Sequence, residues 1–80
     1  MQIVRVDGMR THPVPRDPQV GDYDIGVSLR SRGYEQVVLH NTSAVGGVRV
    51  GRETVWPTRH VVVPYGTDFT VDETLFRVVR

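Results

Sequence analysis

Valine fills seventeen of the eighty positions of this chain, and no stretch keeps its apolar residues at a sustained helical spacing. Two γ-methyl groups stiffen χ1 and suit a pleated, half-buried surface, so this bias selects strands over helices. The chain reads as all-β. A single β domain over residues 1–80 has a small core, because a chain of this size buries only about 60% of the surface its unfolded form exposes. Cysteine is absent, so no disulfide framework compensates, and contact with partner subunits is the remaining stabiliser. Residues 1–9, MQIVRVDGM, hold too short an apolar run for a signal peptide. Nowhere do the roughly 20 consecutive apolar residues of a bilayer span occur. The expectation is a soluble protein made and kept inside a cell, without membrane contact.

Ten arginines, with no lysine, stand against nine acidic residues, a formal charge of +1. So little net charge exerts little long-range pull on nucleic acid. Exclusive use of arginine suits interfaces, since its planar guanidinium makes bidentate, weakly hydrated contacts. The codon usage of a GC-rich genome accounts for it better.

Residues 2–6, QIVRV, read as a short strand, followed by the turn dipeptide Asp7-Gly8. From Arg10 to Asp22 the prolines Pro13, Pro15 and Pro18 remove backbone donors and favour extended conformations. This segment reads as a proline-rich arm or long loop, free of ladder hydrogen bonds and able to dock on a neighbour at reduced entropic cost. In Asp24–Arg30, Ile25, Val27 and Leu29 alternate with polar or small residues, predicting a strand with one buried face. Ser31-Arg32-Gly33 reads as its hairpin loop and Tyr34–His40 as the antiparallel partner. Asn41-Thr42-Ser43 ends that strand through Asx-turn chemistry. Gly46-Gly47 and Gly51 frame a short valine strand, and Thr54–Trp56 leads into Pro57, which should end that strand or sit at a sheet edge. Val61–Val63 is apolar on both faces and needs cover on both. Asp68–Asp72 alternates again. The closing ETLFRVVR fits either a capped helix or a strand from Thr74, and Val78-Val79 favours the strand. Six or seven short, mostly antiparallel strands in a small β-sandwich or barrel are predicted.

Chemistry-bearing patterns are sparse. His12, His40 and His60 lack metal-ligand spacing, and Gly26-Val27-Ser28-Leu29-Arg30 lacks the second glycine of a hydrolase elbow. Gly46-Gly47 has no lysine after it to make a phosphate loop. Asp22/Asp24 and Asp72/Glu73 read as solvated termini rather than acid–base pairs. No cofactor, metal or catalytic residue is expected. Tyr34 beside Arg30 and Arg32, and Trp56 beside Arg52 and Arg59, would suit a stacking surface for single strands. Aromatics form only 8% of the chain, and acids interleave with the arginines. An SH3-like or OB-like module that binds nucleic acid or a protein is therefore the second expectation.

Residues 37–72, VVLHNTSAVGGVRVGRETVWPTRHVVVPYGTDFTVD, combine an apolar strand, Asn-Thr-Ser, a valine strand, an apolar-x-Pro step and a further valine strand. In this pattern the chain resembles small β-rich structural proteins of tailed bacteriophages, the capsid decoration proteins and head–tail components. The resemblance implies a non-enzymatic virion subunit that self-associates or binds a major capsid or connector protein, assembled in a host cytoplasm. The candidate contact residues are Pro13, Pro15 and Arg16 of the arm, Trp56, Arg59 and Val62, and Leu75, Arg77 and Val79 of the last strand.

Overall fold

The computed structural model describes residues 1–80 and contains ten strands and no helix. In chain order these are β1 Gln2–Asp7, β2 Arg10–Pro13, β3 Asp22–Tyr23, β4 Val27–Arg32, β5 Gln36–Asn41, β6 Val48–Val50, β7 Glu53–Val55, β8 His60–Pro64, β9 Asp68–Val71 and β10 Thr74–Val79. They pair antiparallel in a six-stranded sheet, β2-β1-β10-β9-β6-β7, and a four-stranded sheet, β3-β4-β5-β8. No helix is long and apolar enough to cross a membrane.

The inner faces of the two sheets meet in one core. Ile3, Val48, Val55, Phe69, Phe76 and Val78 come from the larger sheet; Tyr23, Val27, Leu29, Val37, Leu39 and Val63 come from the smaller. Phe69 and Phe76 are cross-strand partners, stacked with ring centroids 5.6 Å apart, so the strongest apolar pair also fixes the β9–β10 register. Each outer face has a buried valine of its own. Val4, flanked across the strands by Pro13 and Arg77, is 5% exposed, and Val38, flanked by Arg30 and Val62, is 9% exposed. Arginine stems are apolar along their length and shield such positions while the guanidinium stays wet.

The strands exceed the predicted six or seven because three short elements are invisible to residue patterning. The segment around Val48 folds back at Gly51-Arg52 into the β6–β7 hairpin, pairing Val50 with Glu53. β2 and β3 are the others. Arg10–Asp22 is not an arm free of ladder bonds: β2 pairs with β1 from Asp7↔Arg10 to Val4↔Pro13. An edge strand tolerates proline because one side of its ladder faces water. The chain stays pinned beyond Pro13, with Val14 N–H donating to Ile3 O at 2.9 Å and Arg16 bridging to Tyr23.

β4 begins at Val27, not Asp24, since Asp24–Gly26 turns the chain and leaves Ile25 half-buried against the core. Its hairpin loop lies two residues later than expected, with Arg32 paired to Gln36 and Tyr34 at the tip. The closing segment is a strand from Thr74. Asp72 and Glu73, at φ 49° and 67°, form a two-residue hairpin turn. Left-handed residues there cannot open a right-handed helix, so the capping-box reading fails.

Candidate interaction site

Trp56-Pro57-Thr58-Arg59 carries the chain from β7 in one sheet to β8 in the other. Pro57 presets φ at the second position of a turn, and Thr58 at the third has φ 71°, the left-handed value of a type II turn. Arg59 N–H closes the turn on Trp56 O at 3.0 Å. A β-branched residue rarely adopts this φ, so its surroundings must hold it there. They do so through β5: Thr58 N–H donates to Asn41 O and Asn41 N–H donates to Arg59 O, each at 3.0 Å.

Asn41 is the one buried polar residue, 1% exposed. Its Nδ2 donates to Val55 O at 2.8 Å and to Gly46 O at 3.1 Å. Its Oδ1 accepts from Ser43 N–H at 3.0 Å and from Ser43 Oγ at 2.6 Å. The amide side chain is therefore fully used on both sides. The expected Asx turn at Asn41-Thr42-Ser43 is present, and the same residue ties the 42–47 loop to the end of β7, directly beneath Trp56.

Trp56 itself is 60% exposed. Its indole lies over Gly47: a Cβ there would come 3.4 Å from the ring and 2.5 Å from Thr54 Cγ2. Thr54 points outward, away from buried Val55, so the indole rests on the outer face of the six-stranded sheet. Thr54, Arg49, Thr70 and Leu75 are successive cross-strand partners on that face. A shallow groove of about 600 Å³ follows this row, with Leu75 and Thr70 in its floor and Arg49, Asp68, Asp72 and Glu73 along its sides. Arg77 is paired with Asp68, Nε to Oδ1 at 2.6 Å. That hydrogen bond, followed by the carboxylate's charge, raises the Arg77 pKa above its ordinary value.

The candidate contact residues fall in four places. Pro13, Leu75, Arg77 and Val79 share the outer face of the larger sheet with Trp56. Arg59 sits at the type II turn. Val62 lies on the opposite outer face, between β5 and the free edge of β8. Pro15 and Arg16 lie in the connection before β3, where Arg16 approaches the Tyr23 ring to 5.9 Å. Burial raises the Tyr23 pKa, and the Arg16 charge draws it partly back. One flat partner therefore reaches Trp56 with Leu75–Val79, but not Val62 as well.

Residue spacing missed two features. Asn41 reads only as a strand terminator, because its partners lie as far as 14 residues away. Asp22, Ser28, His40 and His60 form one cross-strand row on the smaller sheet, while His12 pairs with Arg5 on the larger one. Counting back from the expected loop at Ser31-Arg32-Gly33 sets Ser28 opposite Gln36, and only the observed loop, two residues later, sets it opposite His40. In that row serine stands between aspartate and histidine, which is not the order in which an acid orients a base toward a nucleophile. Tyr34, at the tip of the β4–β5 hairpin of the smaller sheet, is 90% exposed, whereas the Trp56 indole lies on the outer face of the larger sheet, so the two aromatics do not join into one stacking surface.

Comparison with known proteins finds no matching family model, no matching curated protein and no matching solved structure.

Proposed function

We propose that this chain is a non-enzymatic structural subunit that works by protein–protein contact, in a particle of the tailed-phage kind, on the capsid exterior or at the head–tail junction. Trp56 carries the reading. The only tryptophan is exposed, yet it is held on a turn whose strained residue is bonded into a neighbouring strand. A rigid, exposed indole offers large contact area at low entropic cost, which is why tryptophan dominates interface hot spots. The outer-face groove beside it presents Leu75 between charged walls, the apolar centre and polar rim of a protein interface. Surface area supports the same view: a 9.0 kDa monomer is expected to expose about 4,900 Å², and this one exposes 5497 Å².

Sedimentation of the protein alone, and with the major capsid or connector proteins of its source, tests the proposal. The expected result is co-sedimentation or self-association, weakened about thirty-fold or more by Trp56→Ala, the loss of a typical hot spot. A monomer that stays unbound to every such assembly overturns it.

A further inference from the structure

The face opposite Trp56 has a second cleft, of about 410 Å³, between the outer side of the four-stranded sheet and the loop before β3. Arg16, Arg30, His40, His60 and Ser28 line it, over a floor that includes Val38. These donors come from separate parts of the chain: the loop supplies Arg16, β4 supplies Ser28 and Arg30, β5 supplies His40 and β8 supplies His60. Register sets them side by side, with Ser28 opposite His40, His40 opposite His60, and Arg30 opposite Val38.

The chain's ion pairs are made elsewhere, by Arg77 with Asp68 and by Arg80 with Glu35, so neither arginine of the cleft is neutralised by a carboxylate. Arg16 is also held in place. Its Nε donates to Gly21 O at 3.1 Å, and Gly21, at φ 81°, leaves the guanidinium room that a Cβ 3.3 Å from Nη2 would take away. The loop is closed beneath it by Gly21 N–H to Asp17 O at 2.7 Å and Asp17 N–H to Asp22 O at 2.9 Å.

We propose that this cleft is a binding site for the phosphate group of a small phosphorylated ligand. Two guanidinium groups provide forked donors, the imidazoles and the Ser28 hydroxyl add further single donors, and together they exceed what the two oxygens of a carboxylate can accept. A phosphate, with three terminal oxygens and nearly two negative charges, matches that donor set. The volume is that of a small-molecule site. Asp22, the cross-strand partner of Ser28, sets one carboxylate beside these donors. No Phe, Tyr or Trp lines it, so it lacks the large aromatic platform on which single-strand binders stack bases.

The test is an NMR titration of the isotope-labelled full chain with inorganic phosphate, with pyrophosphate and, separately, with a short single-stranded DNA. Saturable shifts confined to the amides around Ser28, Arg30, His40 and His60 are expected with the phosphates. Arg30→Gln and, on the exposed loop, Arg16→Gln should each weaken that binding about ten-fold or more, the loss of a charge-assisted contact, with the remaining spectrum unchanged. Arg52→Gln, on the β6–β7 turn of the other sheet, should leave it intact. Absence of saturation by about 10 mM pyrophosphate, or undiminished affinity in both cleft variants, overturns the site. DNA moving the same amides at lower concentration than pyrophosphate overturns the small-ligand assignment in favour of a nucleic-acid surface. Trp56→Ala should not alter the titration, so its outcome is separable from that of the assembly proposal.

Discussion

Replacing Asn41 is the sharpest test of how the Trp56 turn is held. In Asn41→Ala the Nδ2 donor to Val55 O disappears, and that carbonyl is in the buried part of the network. A buried acceptor left without a donor costs about 1–3 kcal/mol. The bonds to Gly46 O and from Ser43 are partly buried, so water replaces them incompletely, and their combined loss adds about 1–2 kcal/mol. A total near 3 kcal/mol is expected. For a domain of this size each kcal/mol lowers Tm by about 4–8 °C, so the fall should be about 12–24 °C in a calorimetric or dichroism melt. Asn41→Asp separates hydrogen bonding from packing. It keeps nearly the same shape and still accepts from Ser43, but it sets a carboxylate oxygen against Val55 O and Gly46 O, so it should be at least as destabilising as Ala. Its deficit should shrink as pH falls and the carboxyl protonates, because the neutral acid regains one donor. If Asn41→Asp melts within about 0.5 kcal/mol of the parent, the side chain is not the hub and the Trp56 turn owes its conformation to something else.

Val27 is fully buried and Ser28 faces outward, so Val27→Asp should cost several kcal/mol, roughly the burial of an unpaired charge, and Ser28→Asp under about 1 kcal/mol, read from paired chemical melts; equal midpoint shifts would contradict the β4 orientation. Glu73→Gly should stabilise by about 0.5–1 kcal/mol, because Glu73 at φ 67° sits where the hairpin turn favours glycine; a lower urea midpoint would count against the turn. Thr58→Gly should likewise raise Tm by a few degrees, about 0.5–1 kcal/mol, by relieving a β-branched residue at φ 71°, while Trp56, on a looser turn, should lose affinity for any partner it docks; a fall in Tm would show that the threonine side chain itself is required.

The all-β class, the burial of Val27 and Leu29, and the strand from Thr74 were legible because each rests on a local rule: valine stiffness, period-two alternation, and the poor fit of Val78-Val79 in a short helix. Tertiary structure alone decided the rest. Arg10–Pro13 has no strand pattern and becomes β2 only because β1 lends it an edge to pair with. Val4 and Val38 are buried on outer faces, where pairing sets Val4 between Pro13 and Arg77 and Val38 between Arg30 and Val62. Asn41 is a turn residue by local chemistry, and only the approach of Val55 O makes it the support of an exposed tryptophan. The cleft donors Arg16, Arg30, His40 and His60 are up to 44 residues apart in the chain and meet only through sheet register. Strand formation follows from the chemistry of adjacent residues. Which strands pair, and which side chains they bring together, follows from burying the two inner faces against each other, a choice made by the whole chain at once.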